Sequence, residues 1–163
     1  MSYATPRPRR SPAQAYAQLG LETRVLSASP ARLITLLFDG ARAALANARR
    51  AMAAHDVAAR GQAISKAIDI VTNGLKASLD DEAGGALAAR LHQAYGLIVQ
   101  KLLLANLKND LAQLDGADRL LAEIGAAWRA ATDPHETAAH ETVAHETAAH
   151  ETAANNALAS VLH

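Results

Sequence analysis

Cysteine is absent and aromatic residues nearly so: one Phe, one Trp and three Tyr in 163 residues. No disulfide, thiolate ligand or thiol nucleophile can be built, which fits a reducing compartment. With aromatics at 3% and apolar residues at 50%, a core must be packed from Leu, Ile, Val and Ala, the side chains of helix-to-helix contact. Net charge is missing too. Sixteen Lys+Arg stand against 16 Asp+Glu, so no overall field draws the chain to nucleic acid or an anionic membrane. No apolar run approaches the ~20 residues that cross a bilayer, and no basic-then-apolar leader opens the sequence. The expectation is a cytoplasmic, all-α protein of one domain, with no nucleic-acid partner and no membrane insertion.

Pro6, Pro8 and Pro12 with Arg7, Arg9 and Arg10 resist helix and pack no core, so residues 1–12 read as a loose basic arm. Residues 13–26, with Tyr16, Leu19, Leu21, Val25 and Leu26 around Gly20, predict a short segment lying on the bundle. Tyr16 would anchor it by an apolar body and a polar tip. Ser29-Pro30 is a strong helix start, a hydroxyl N-cap followed by proline at N1. From there Leu33, Leu37, Ala41, Ala44, Leu45, Ala48 and Met52 form an inner stripe, flanked by Ile34 and Phe38. His55-Asp56 ends the pattern, and Asp56 can cap the next helix.

That second helix, about 57–79, has Val57, Ile64, Ile68, Val71, Leu75 and Leu79 on one face. Beside them runs a strip of mostly small residues, Ala63, Ala67, Ile70, Gly74 and Ala77, which implies a close neighbour from this chain or another. Asp80-Asp81-Glu82-Ala-Gly84-Gly85 reads as an acidic turn. The third helix is the most apolar stretch. Leu87, Leu91, Ala94, Tyr95, Ile98, Leu102 and Ala105 share one stripe, Leu97 and Leu104 extend it on one flank, and Val99 and Leu103 on the other. It ends near Asn106-Leu-Lys-Asn109, and Asp110 can cap a fourth helix through Leu111, Leu114, Ala117, Leu121, Ile124 and Trp128. Four long helices on short turns make an antiparallel four-helix bundle.

After Thr132-Asp133-Pro134 the chain repeats His-Glu-Thr-Ala/Val-Ala from His135 through His140, His145 and His150. A period of five matches no helical face, and neighbouring His lie about 140° apart on a helix, so the zinc-protease spacing of i, i+4 is not met. A solvated low-complexity tail over 133–163 is favoured over metal capture. A di-metal carboxylate bundle needs Glu-x-x-His, which occurs nowhere in the sequence. His92 and Asp69 sit on helix flanks without evident partners, and surface roles are favoured. Neither a glycine-rich phosphate loop nor a nucleophile elbow is present. No active site, cofactor or metal is expected. What remains is surplus apolar surface on the second and third helices. It suits an amphipathic partner laid in a groove, or else burial within the bundle or a homodimer, and patterning leaves these open.

Gln14-Ala-Tyr16, Ser27-Ala-Ser29-Pro30-x-x-Leu33-Ile34 and Leu37-Phe38-Asp39-Gly40 resemble the opening signature of the flagellin-specific export chaperone family, FliS. Ile64-Ser-Lys66-Ala67-Ile68, Gly74-Leu75 and Ser78-Leu79-Asp80 continue the likeness, and Leu103-Leu-Ala-Asn106-Leu-Lys-Asn109-Asp110 is its most specific block. Trp128 falls where the family keeps a Trp. The resemblance spans about residues 14–131. It implies a bundle, 13–132, that holds the disordered C-terminal region of flagellin in the cytoplasm, prevents early polymerisation and delivers it to the flagellar export apparatus. It also implies that the segment carrying Tyr16 can lie over client-binding surface. The arginine-rich arm and the His-Glu-Thr tail fall outside the family pattern. On this basis the expected contact residues are Tyr16, Ile34, Phe38, Ile64, Ala67, Ile70, Gly74, Leu97, Leu104 and Asn106. The competing expectation is a structural helical bundle whose His-rich tail buffers metal.

Overall fold

The computed structural model describes residues 11–12 and 28–133. Tyr16, the arm and the His-Glu-Thr tail lie outside the described residues. Contacts divide the chain into two units, Met1–Ala126 and Ala127–His163. In the second, Thr132 Oγ1 donates to the Trp128 carbonyl at 2.9 Å, a bond within one helix.

Four helices and no strand are found among the described residues: α1 (Pro30–Ala53), α2 (Val57–Asp69), α3 (Asp81–Lys108) and α4 (111–133). Their ends are fixed by the side chains the sequence singles out. Ser29 Oγ accepts the Arg32 N–H at 3.2 Å with Pro30 in the first turn, Asp56 Oδ1 accepts the Ala59 N–H at 3.0 Å, and Asp110 Oδ1 accepts the Ala112 N–H at 2.9 Å. Each satisfies an orphan donor of a first turn. α1 closes with His55 in the left-handed region, φ 53. The N–H groups of His55 and Asp56 then return to the carbonyls of Met52 and Ala51 at 3.1 and 2.9 Å, the paired bonds that end a helix abruptly.

Two local features depart from expectation. The second helix does not run on regularly to Leu79. After Asp69 it widens into a π-helical turn, Ile70–Leu75, and closes in a 3₁₀ turn, Lys76–Ser78. The extra residue per turn re-aims the side chains, so that Ile70, Val71, Gly74 and Leu75 are all buried. Nor is Asp80–Gly85 a simple turn. Asp80 Oδ1 accepts the N–H groups of Glu82 and Ala83 at 3.1 and 2.9 Å and starts α3 one residue later. The helix then breaks at Gly85, φ 50 and ψ −124. A Cβ on Gly84 would stand 2.7 Å from that of Ala88, so both glycines are required, one by sterics and one by its dihedral angles.

The helices pack antiparallel. Along α1, Phe38, Arg42 and Arg49 meet Gly125, Asp118 and Asp115 of α4 in reverse order. Arg60, near the start of α2, reaches Asn106 and Asn109 at the end of α3. Leu37, Ala41, Leu45 and Ala48 of α1, Ile98, Leu102 and Ala105 of α3 and Leu114, Ala117 and Leu121 of α4 are all 0% exposed. The only Phe sits among them, its ring centroid 6.5 Å from that of Tyr95 and tilted by 47°.

Burial pushes the Tyr95 phenol up to about 12 from 10.0, because the charged form is desolvated. A raised folded-state value means the neutral ring favours folding. That contribution is whole below pH 10 and drains away as pH climbs to about 12, roughly 2–3 kcal/mol in all. Urea unfolding should show this alkaline loss in the natural protein and a smaller one in Tyr95→Phe. At neutral pH, Gly85→Ala should cost about 1–2 kcal/mol, since L-residues resist positive φ. Gly61→Ala lies inside α2 with nothing within 4 Å of the added Cβ and should stabilise by roughly 0.5–1 kcal/mol. Midpoints from urea titrations separate the two.

Candidate binding surface

The polar features of the bundle are structural. Arg42 grips Asp118 through Nε and Nη2 at 2.8 and 3.3 Å, and Arg49 pairs with Asp115. Hydrogen bonding to these carboxylates raises both guanidinium pKa values further above their ordinary value, with burial opposing. An open depression of ≈ 460 Å³ lies beside them, lined by Arg49, Ala112, Asp115, Asp118 and Arg119. Asp115 and Asp118 are already spent on their arginines. His92 has a partner the sequence did not reveal: its Nε2 lies 2.7 Å from Asp81 Oδ1, across the Gly85 break. Asp69 accepts from the Asn73 amide one turn on. Among the described residues, no group of three or more His, Cys, Asp or Glu could hold a metal ion, and no helix is long and apolar enough to cross a membrane.

The residues expected to contact a partner divide sharply. Phe38, Ile64 and Ile70 are 1% exposed, Ala67 is 0% exposed and Gly74 is buried. These five are core, and the small-residue strip of α2 is closed within the chain itself. Within one broad helical face the Ala67-Ile70-Gly74 strip and the Ile64-Val71-Leu75 residues are buried together. Ile34, Leu104 and Asn106 are half-buried, and Leu97 is 44% exposed. Tyr16 lies outside the described residues.

Asn106 is bound up in architecture. Arg60 Nε donates to Asn106 Oδ1 at 3.2 Å, Nη2 to the Asn106 carbonyl at 3.1 Å and Nη1 to Asn109 Oδ1 at 2.6 Å. A cation at a helix C-terminus meets the negative end of the dipole and the unpaired last carbonyls. Asn109 itself ends α3 at φ 51, a conformation Asn tolerates. The block Asn106-x-x-Asn109-Asp110 is thus a joint: two amides for Arg60, one left-handed stop and one cap.

The apolar surface that stays open is the outer face of α3. Its inner stripe, Tyr95, Ile98, Leu102 and Ala105, is 0–3% exposed, yet Leu103 and Leu107 are 56% and 80% exposed, with Leu97 and half-buried Leu104 beside them. The sequence marked Leu97, Leu103 and Leu104 as flanks but not Leu107, although its exposure is the greatest. Val57 and Leu87, placed on inner stripes by periodicity, are each 65% exposed; both sit in first turns.

The described residues thus form a helical bundle with a leucine-bearing outer face on α3. Residues 12–135 match the family described as "Flagellar protein FliS". The chain is 48% identical over 116 residues to the "Flagellar secretion chaperone FliS" of Salmonella typhimurium, covering 71% of this chain and 86% of that protein. It is 42% identical to the Escherichia coli protein of the same name, over 71% of this chain and 85% of that one. To "Flagellar secretion chaperone FliSB" of Pseudomonas aeruginosa it is 41% identical, over 69% and 89%. The chain belongs to the FliS family, and the relatives named here are flagellar secretion chaperones.

Because Arg60 ties α2 to the end of α3, Arg60→Ala should destabilise the bundle by about 1–3 kcal/mol, the cost of part-buried amide acceptors left unmatched. Asn106→Asp should be far milder, since the carboxylate still accepts from the guanidinium. Thermal unfolding followed by circular dichroism reads both.

Proposed function

We propose that the chain is a cytoplasmic chaperone for flagellin, holding its C-terminal segment on the outer face of α3 until the flagellar export apparatus receives it. The observation that carries this is the set of outer leucines, Leu97 and Leu104 on one flank and Leu103 with Leu107 towards the other, open to a partner on a helix whose inner stripe is already complete. Contiguous apolar surface on a small protein marks an interaction site, and a helix face of this kind suits an amphipathic helix laid along it. A client segment that is disordered when free pays ~2–5 kcal/mol to order. Covering a leucine fully contributes ~1.5–3 kcal/mol, so several partly exposed leucines offset that cost while leaving the complex reversible. Ile34 and Leu104, half-buried at the edges of their helices, would be uncovered by small side-chain movements. The resemblance of the segment around Tyr16 to the family's opening signature makes that segment a further part of the proposed contact surface, alternating with the client.

Isothermal titration of the full chain with a peptide from the host flagellin's C-terminus should give 1:1 binding, and circular dichroism should record a gain of helix. Leu103→Ser combined with Leu107→Ser should weaken binding tenfold or more while leaving the melting temperature within a few degrees, because neither side chain is core. Removing residues 134–163 should change affinity less than about twofold. No heat and no added helix with any flagellin peptide would overturn the proposal.

A further inference from the structure

Between Glu82 and Asp110 the sequence carries no carboxylate. α3 therefore presents Arg90, Lys101 and Lys108 with no acid of its own beside them after Glu82. At 100° per residue these cations fall with Leu97 and Leu104 in one stripe about 60° wide, in the order Arg90, Leu97, Lys101, Leu104, Lys108, about 27 Å from end to end. Arg90 and Lys108 are exposed and Lys101 is half-buried. None of the three has an ion-pair partner among the described residues. Lys101 is also held in place: its Cδ, Cε and Nζ lie 3.5–3.6 Å from where a Cβ on Gly116 would stand, so its stem runs along the α4 backbone. The carboxylates nearest in α4, Asp115 and Asp118, are already engaged by Arg49 and Arg42.

We propose that this stripe sets the register of the client: it takes an amphipathic helix whose apolar row covers Leu97 and Leu104 and whose flanking carboxylates reach Lys101, with Arg90 and Lys108 taking acids about three and two turns away. The proposal rests on the chaperone function above and names the chemistry that its surface selects. Opposite charges aligned along an apolar seam fix orientation and speed encounter more than they add affinity. An acidic helix fits better than a membrane. Lipid headgroups are gathered by clusters of 4–8 cations, whereas here three cations spread along one narrow edge of a chain with net charge zero.

The test uses the full chain and two flagellin C-terminal peptides, the natural one and a version with every Asp and Glu changed to Asn and Gln. Titrations run at about 50 and 300 mM NaCl, where screening of exposed charge differs strongly. The natural peptide should bind the unaltered protein about fivefold more weakly at high salt. Lys101→Glu should weaken it by a similar factor, and so should Lys108→Glu, an exposed position where folding is not at stake. The amidated peptide should bind less well and no longer sense either change, the mark of a direct pairwise coupling. Equal affinity of both peptides for every charge variant, with Leu103→Ser plus Leu107→Ser still weakening binding tenfold or more, overturns the register while leaving the chaperone function standing. Failure of the unaltered protein to bind either peptide overturns both. Two other occupants also refute it: co-sedimentation with phosphatidylglycerol vesicles lost in Lys101→Glu, or a peptide-free dimer that Lys101→Glu dissociates.

Discussion

The bundle depends on one ring. Phe38 projects from α1, 1% exposed, with Tyr95 of α3 on one side and the backbone of α4 at Gly125 on another, where a Cβ would lie 3.3 Å from Cγ of the ring. In a chain with a single Phe, no second ring shares this task. Apart from Tyr95, Met52 and Thr35, the remaining buried side chains among the described residues are Leu, Ile, Val and Ala, and aliphatic cores tolerate exchange of similar shapes. A bulky ring seated against a glycine fixes which part of α1 faces which part of α4. The glycine and the ring are therefore one feature: even a Cβ at 125 would require the ring to give by a few tenths of an ångström.

A second constraint acts at the far end of α3. Asn106, Asn109 and Asp110 together stop one helix, start another and receive Arg60 from α2. Neutral amides suit this position because the guanidinium also faces the Asn106 carbonyl, where the helix dipole already supplies negative charge. Packing in the middle and polar joints at the end divide the labour. The first supplies most of the burial, and the second sets where chain reversals occur.

Much of this is legible in the residues. Ser29-Pro30, Asp56 and Asp110 announce helix starts because capping is local chemistry, decided within three residues. The inner stripes of α1, α3 and α4 follow from spacing, apart from Leu87 and Leu111, which are 65% and 46% exposed. Asp80 was less readable, since Asp-Asp-Glu before Gly-Gly spells a turn and a cap equally well, and only the path of Gly85 separates them. The π turn left no trace, because Ile70, Val71, Thr72, Asn73 and Gly74 are unremarkable in any helix. The strip of Ala67, Ile70 and Gly74 is buried beside Ile64, Val71 and Leu75 on one broad face. Small residues signal close approach without saying by whom, and here the neighbour is the chain itself. Phe38 poses a different ambiguity. A flank position on an amphipathic helix is core or surface according to how many neighbours surround it, which period cannot tell.

The separation of core from surface on α3 is what makes an apolar face tolerable. Because Tyr95, Ile98, Leu102 and Ala105 complete the buried stripe, the outer leucines add little to folding and are free to answer to binding alone. Left bare, such a row would pair with any apolar surface. Interleaving Arg90, Lys101 and Lys108 among the leucines counters that tendency, since like charges repel a second copy of the same face, while an apolar segment without acids gains nothing from the cations and must desolvate them. In the proposed role the same residues would both discourage self-association and select among guests. Keeping all carboxylates off this length of helix preserves both effects, for an acid placed beside Lys101 would cancel the repulsion and the selection together.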